Sequence, residues 1–181
     1  HDLHTRQVIT ALKNGKHVYC EKPLAINEKE LKEIAKEAGK ANTPLLMVGF
    51  NRRFAPMAIE MKKFLATRSE PLVAHYRINA GFLPANHWLH DPNQGGGRII
   101  GEGCHFIDFL TFLTGALPTS VSGQALPDRG VYHGDNAVLT FTYPDGSIGT
   151  VTYLANGDRS VAKEEIEVFC EGKTARLHDF R

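Results

Sequence analysis

The stretch Gly15-Lys16-His17-Val18-Tyr19-Cys20-Glu21-Lys22-Pro23-Leu24-Ala25 decides how the rest of the chain is read. Gly15 stops a helical pattern, His17 to Cys20 reads as a short apolar strand, and Glu21, Lys22 and Pro23 stand at the strand's exit. In an open α/β sheet, ligands bind in the crevice outside the carboxyl ends of the strands. An anion and a cation side by side at such a place, followed by proline, mark a candidate site. Lys22 fits two readings. It is either a solvated loop lysine paired with Glu21, or a tuned lysine that hydrogen-bonds or exchanges a proton with a substrate hydroxyl. An X–Pro bond pays only ~0.5–1 kcal/mol for the cis form, and Lys22–Pro23 is expected to be cis.

Upstream, Val8, Ile9 and Leu12 make an apolar helical stripe, with Thr5 as the expected N-cap. Downstream, Asn27 caps a second helix with Glu30 at the capping-box position, and Leu31, Ile34, Ala35 and Ala38 are its expected buried face. Pro44 opens a second strand, Leu45 to Val48. Helix, strand, helix, strand with short connections is the grammar of a parallel sheet. Such a unit should begin with a strand and a glycine-rich phosphate loop, yet no G-x-G-x-x-G occurs in the 181 residues. The triplet Gly95-Gly96-Gly97 follows no strand pattern. Residues 1–48 are therefore expected to be the back half of a Rossmann-type dinucleotide-binding domain whose front half lies outside this sequence. Residues 49–181 are expected to form an α/β substrate and oligomerisation domain, truncated at its C-terminus.

In that second part, Gly49 to Phe54 is a basic turn, and Pro56 opens a helix reaching about Arg68 with the stripe Ile59, Met61, Phe64 and Leu65. Leu72–Ala80 reads as a strand, Gly81–Gly97 as a long loop, and Arg98–Thr114 as a strongly apolar helix. Thereafter the pattern is strands: Ser120–Ala125, Ala137–Tyr143, Ile148–Leu154, Ile166–Cys170 and Thr174–Leu177, with turn signals at Pro144-Asp145-Gly146 and Glu171-Gly172-Lys173. The fold class is α/β (α+β). A parallel Rossmann-type piece is followed by a mainly antiparallel sheet with helices on one face.

Lys and Arg number 21 against 20 Asp and Glu, a net charge of +1 that gives no phosphate-backbone footprint, so nucleic acid is not an expected partner. No apolar run approaches the ~20 residues needed to span a bilayer. The three cysteines, Cys20, Cys104 and Cys170, are widely spaced and odd in number. They suggest free thiols in a reducing compartment, and with no signal-peptide pattern a cytoplasmic location is expected.

Three further groups could carry chemistry. Glu102, His105 and Asp108 are three apart on one helix, which suits either an acid–base histidine with an orienting carboxylate or a satisfied buried histidine. Asn51-Arg52-Arg53 could clamp a carboxylate or phosphate, or be a surface basic turn. His87, His90, Cys104 and His105 show no closed ligand spacing, and no metal is expected.

Three motifs, in order, resemble the Gfo/Idh/MocA (glucose–fructose oxidoreductase / inositol dehydrogenase) family. They are Gly15–Ala25, then Val48-Gly49-Phe50-Asn51-Arg52-Arg53-Phe54, then Gly95-Gly96-Gly97-Arg98-Ile99-Ile100-Gly101-Glu102-Gly103-Cys104-His105-Phe106-Ile107-Asp108. The resemblance implies an NAD(P)-dependent dehydrogenase that moves a hydride between nicotinamide and a sugar, sugar nucleotide or polyol. It makes Lys22 and His105 the catalytic pair. His4, Glu21, Lys22 and Pro23 border the NAD or NADP. Asn51, Arg52, Arg53, Trp88 and Asp108 are the candidate substrate contacts, and copies are expected to associate through the sheet. The resemblance is incomplete at one position. The family usually carries Asp four residues before the histidine, and this chain has Gly101, so Glu102 is the candidate replacement. The missing Asp favours an alternative, a catalytically silent sugar-binding or assembly domain on the same scaffold. Intact Lys22 and His105 favour the dehydrogenase.

Overall fold

A computed structural model describes residues 1–181. The chain folds into two compact units. One comprises His1–Phe50 and Asn86–Cys104, the other Asn51–Ala85 and His105–Arg181.

In the first unit, helix α1 (His4–Lys13) leads through Gly15, at φ +68°, into strand β1 (Val18–Cys20). Helix α2 (Glu28–Ala38) then leads to strand β2 (Leu46–Val48). The two strands pair in parallel, Val18 opposite Leu46 and Cys20 opposite Val48, as the sequence grammar requires. Val8, Leu12, Cys20, Ala25 and Ile34 form its core. Asn27 caps α2 by accepting from the Glu30 amide at 3.0 Å. Glu30 does not return the bond to Asn27. Its carboxylate accepts from the Ile26 amide and the Thr5 hydroxyl, pinning α1 to α2.

Two expectations for these helices are corrected. Thr5 is not the N-cap. The helix starts at His4 behind Leu3, and Thr5 lies buried inside it with its hydroxyl on Glu30. The buried face of α2 is narrower than its apolar stripe, for only Ile34 is buried, whereas Ala35 is exposed and Leu31 is 45% exposed. A two-stranded sheet covers one line of a helix, not a ~100°-wide face.

The stretch Asn86–Cys104 belongs to this first unit. It is held by the Gly97 amide on the Leu89 carbonyl at 2.9 Å and by His1 Nδ1 donating to the Gly95 carbonyl at 2.9 Å. Gly95 is obligatory on packing grounds, since a Cβ there would lie 2.3 Å from the backbone of Leu89.

The second unit is a six-stranded sheet in the order β4-β5-β6-β3-β7-β8. The strands are β3 (Val73–Asn79), β4 (Ser120–Ala125), β5 (Ala137–Thr142), β6 (Ile148–Leu154), β7 (Glu164–Cys170) and β8 (Lys173–His178). All neighbours are antiparallel except β3 and β6, so the sheet is mixed, with one parallel pair at its centre. The β7–β8 hairpin turns on Glu171 and Gly172, both with positive φ, the conformation of a two-residue type I′ turn. Alternation puts Ala74, Tyr76, Ile78, Val151, Tyr153, Ile166 and Val168 on the buried face. Helix α4 (Cys104–Thr114) lays Phe106 and Phe109 edge-on against Tyr76, with ring centroids 5.0 and 5.6 Å away. The opposite face carries Val73, Val138, Ile148 and Phe169, each over a third exposed, between the pairs His75–Thr150, Arg77–Glu165 and Arg176–Glu167.

Helix α3 (Pro56–Phe64) is shorter than its pattern, and its buried side is Ala58 and Met61, continued by Leu65. Ile59 and Phe64 face outward at 38% and 47% exposure, because the i, i+3, i+7 face is rotated one residue from the expected stripe. The predicted helix Arg98–Thr114 is likewise not uniform. Its first turn, Ile99–Gly103, is π-helical, and regular α-helix begins at Cys104. Two glycines among five residues weaken the ordinary helical turn there. No helix is long and apolar enough to cross a membrane.

Candidate functional site

The first unit presents Lys22 from a braced loop. Directly after β1 the Lys22–Pro23 peptide is cis, as expected. His4, at the first position of α1, bonds the Pro23 carbonyl through Nδ1 at 2.7 Å, so the helix start fixes the strand exit. Lys22 donates from Nζ to the Gly101 carbonyl at 3.0 Å. Gly101 lies in the π-helical turn, where a side chain has little room. A Cβ would sit 2.7 Å from Leu89 Cδ1 and 3.0 Å from His1 Cε1. The position therefore meets the lysine through its main chain. Glu21 is exposed beside Gly49, where a Cβ would lie 2.9 Å from the Tyr19 hydroxyl and 3.1 Å from a Glu21 carboxylate oxygen. Trp88, 47% exposed, packs its ring edge-on to His1 at 4.9 Å, and His1 in turn lies 5.8 Å from His4. Lys22, Gly101, His1, His4 and Trp88 thus form one connected patch. Burial, then the charge of Glu21, holds the neighbouring Cys20 thiol above its ordinary pKa, so Cys20 stays a protonated core residue.

The second unit presents His105 from the first turn of α4, 6% exposed. The three carboxylate and histidine groups expected to cooperate are engaged differently. Glu102 receives Nε and Nη2 of the buried Arg98 at 3.2 and 3.1 Å. Asp108 receives both ends of the Arg53 guanidinium, the Nε bond at 2.9 Å. Arg52 forks onto Glu164 at 2.7 and 2.5 Å and lies over the Phe106 ring at 5.0 Å. The Tyr76 hydroxyl donates to the same Glu164 carboxylate, and Asp179 accepts from the Glu164 amide at 2.7 Å. Burial, then Glu164, pushes the Tyr76 hydroxyl pKa up. Burial also works against the charge on Arg52, but Glu164 outweighs it and the net shift is upward.

Arg52 and Arg53, expected as a substrate clamp, are both engaged within this chain. Both forks close on carboxylates of this chain, and Asp108, expected among the substrate contacts, is the partner of Arg53. Asn51 and Phe54 of that turn are left exposed. Glu102, the expected replacement for the missing Asp, has its carboxylate bonded by Arg98. Sequence reasoning missed Arg98, Glu164 and Tyr76. The i, i+4 spacing of Arg98 and Glu102 was a usable signal. Glu164 and Tyr76 had none, because Arg52 and Glu164 are 112 residues apart. No group of three or more His, Cys, Asp and Glu side chains is arranged as metal ligands.

Residues 1–50 match the model of the oxidoreductase family with an NAD-binding Rossmann fold, and residues 69–176 match the GFO/IDH/MocA C-terminal domain. The chain belongs to the GFO/IDH/MocA family. Among its GFO/IDH/MocA-like relatives, the trans-1,2-dihydrobenzene-1,2-diol dehydrogenase of Xenopus laevis is 30% identical over 158 residues, covering 86% of this chain and 48% of the relative. The myo-inositol 2-dehydrogenase of Thermotoga maritima is 30% identical over 177 residues, covering 93% of this chain and 51% of the relative. A solved NAD binding oxidoreductase from Klebsiella pneumoniae superposes with a TM-score of 0.82 at 26% identity, over 98% of this chain and 51% of its own. The chain spans about half the length of these relatives.

Proposed function

We propose that this chain is part of an NAD(P)-dependent dehydrogenase acting on a sugar, sugar nucleotide or polyol. The observation that carries the reading is Lys22, held at the exit of a parallel strand in a loop that His4 braces at the Pro23 carbonyl, with its ammonium on the Gly101 carbonyl. The residues present fit the nicotinamide end of the cofactor, with His4, Glu21, Lys22 and Pro23 around the strand exit. The pyrophosphate end needs a glycine-rich helix start that these residues do not contain. NAD(P), when bound, accepts or returns the hydride. Lys22 polarises the substrate oxygen. His105 takes the hydroxyl proton as the hydride leaves, a task suited to an imidazole, which titrates near ~6.5 in model peptides. Trp88, 47% exposed, and the exposed Asn51 are the candidate substrate contacts.

The division into nucleotide-binding residues 1–48 and a substrate domain from 49 belongs to this proposal. So does association of copies through the open sheet face of Val73, Val138, Ile148 and Phe169, an exposed apolar patch of the kind that marks interfaces. A cytoplasmic setting is proposed on the three cysteines, all thiols rather than half-cystines. The second reading, a catalytically silent sugar-binding or assembly domain, is favoured by Gly101, where no carboxylate is present and even a Cβ is crowded.

Two measurements separate these. The full-length protein is screened with myo-inositol, free sugars and a trans-dihydrodiol for reduction of NAD and NADP. Turnover of at least one supports the dehydrogenase; sugar binding by calorimetry without any cofactor reduction supports the silent domain. Residues 1–181 alone are expected to bind NAD(P) weakly or not at all, and micromolar binding by this chain would contradict the account of where the pyrophosphate is held.

A further inference from the structure

We propose that the short turn Asn51–Phe54 is a brace for the first turn of α4, and that Arg53, with Arg52 behind it, is a positioning residue for His105. The inference rests on the reading of His105 as the acid–base group. Three observations converge on it.

First, α4 has a soft start. It follows a π-helical turn containing Gly101 and Gly103, residues that restrict the backbone least, so the helix start does little to set the rotation of its own first turn. Second, the residues gripped are those beside His105. Asp108, one turn on and on the same helix side, takes two bonds from Arg53, and its side chain is only 10% exposed. Phe106, the next residue, lies under the Arg52 guanidinium at 5.0 Å. Third, the grip is itself anchored. Arg52 is locked by two bonds to Glu164, which also takes the Tyr76 hydroxyl and joins Asp179 through its amide, so the turn is tied to strands β3 and β7. Arg53 is steadied over the Phe112 ring at 5.6 Å. Adjacent arginines thus hold the two sides of one helical turn against the sheet.

A bidentate fork fixes direction as well as distance, which a lysine cannot do. A misplacement of about 1 Å at a reacting group costs on the order of 10²-fold in rate. Arg53→Lys keeps the charge and loses the fork. It is therefore expected to lower kcat by roughly 10–10²-fold while leaving KM within about threefold, because substrate affinity is not what the brace supplies.

The experiment uses the full-length protein with the substrate that the screen above returns. Arg53→Lys is made both in the natural protein and in the His105→Ala protein, and hydrogen exchange of the amides at residues 104–108 is followed in each. Asp108→Asn is the second variant should Arg53→Lys not fold. The expected result is a kcat loss in the natural background, no further loss in the His105→Ala background, and faster exchange at 104–108. An equal loss in both backgrounds would assign the pair a purely structural role and overturn the inference. Unchanged kcat for Arg53→Lys, beside an inactive His105→Ala protein, would also overturn it while leaving His105 in place. Full activity of His105→Ala would instead remove the reading on which the inference stands.

Discussion

Replacing His105 by alanine is expected to lower turnover of the full-length protein by roughly 10²–10⁴-fold, the range that one positioned general acid–base group supplies. Hydride departure from an alcohol carbon leaves a hydroxyl proton that must go to a base, and His105 is the group proposed to receive it. Glu102→Gln should cost much less. Its carboxylate is bonded by Arg98 Nε and Nη2, so the substitution removes a partner of a buried arginine rather than a proton acceptor. The comparison is made by steady-state kinetics across pH, with each variant's thermal midpoint as a control for folding. A loss for Glu102→Gln as large as that for His105→Ala, with the midpoint unmoved, would show that Glu102 acts as the acid after all.

Glu164→Ala carries the largest expected effect on stability. Glu164 is buried and joins Arg52, Tyr76 and Asp179. Removing one partner of a buried ion pair leaves an uncompensated charge and costs about 3–5 kcal/mol. At about 2–4 °C per kcal/mol for a chain of this size, the thermal midpoint should fall by roughly 6–20 °C. Replacing Arg52 and Glu164 together by apolar residues of similar volume should cost far less, because no charge is then stranded. Scanning calorimetry of the two variants makes the comparison. A Glu164→Ala midpoint within about 2 °C of the natural protein would show that the network contributes little.

These two residues also mark where the sequence was legible and where it was not. The parallel pair β1–β2 followed from Gly15, the His17–Cys20 run and the Asn27 cap, all local signals a few residues apart. The hairpins followed from alternation and from turn residues such as Gly146 and Gly172, both at positive φ in the structure. The cis-proline and the placing of Lys22 at a strand exit were equally local. What escaped was set by tertiary pairing. Arg52 and Arg53 read as a substrate clamp from the sequence, and their pairing with Glu164 and Asp108, 112 and 55 residues away, had no local signal. The π-helical turn escaped because its apolar residues fit an ordinary helix. Gly101 and Gly103 weaken the ordinary turn there, and a Cβ at Gly101 would lie 2.7 Å from Leu89 Cδ1. The outward faces of α2 and α3 were misread for a related reason, since an apolar stripe states what can be buried and the neighbouring element decides how much is.

The claim that joins all of this is that Lys22 and His105 serve direct hydride transfer from a substrate carbon to nicotinamide. The most direct test is to supply the full-length protein with a substrate deuterated at the carbinol carbon, together with oxidised cofactor, and to examine the reduced cofactor by mass spectrometry. The account expects deuterium in the reduced nicotinamide, with the transfer all but lost in the Lys22→Ala and His105→Ala proteins. Reduced cofactor without deuterium, or transfer undiminished in both variants, would contradict it.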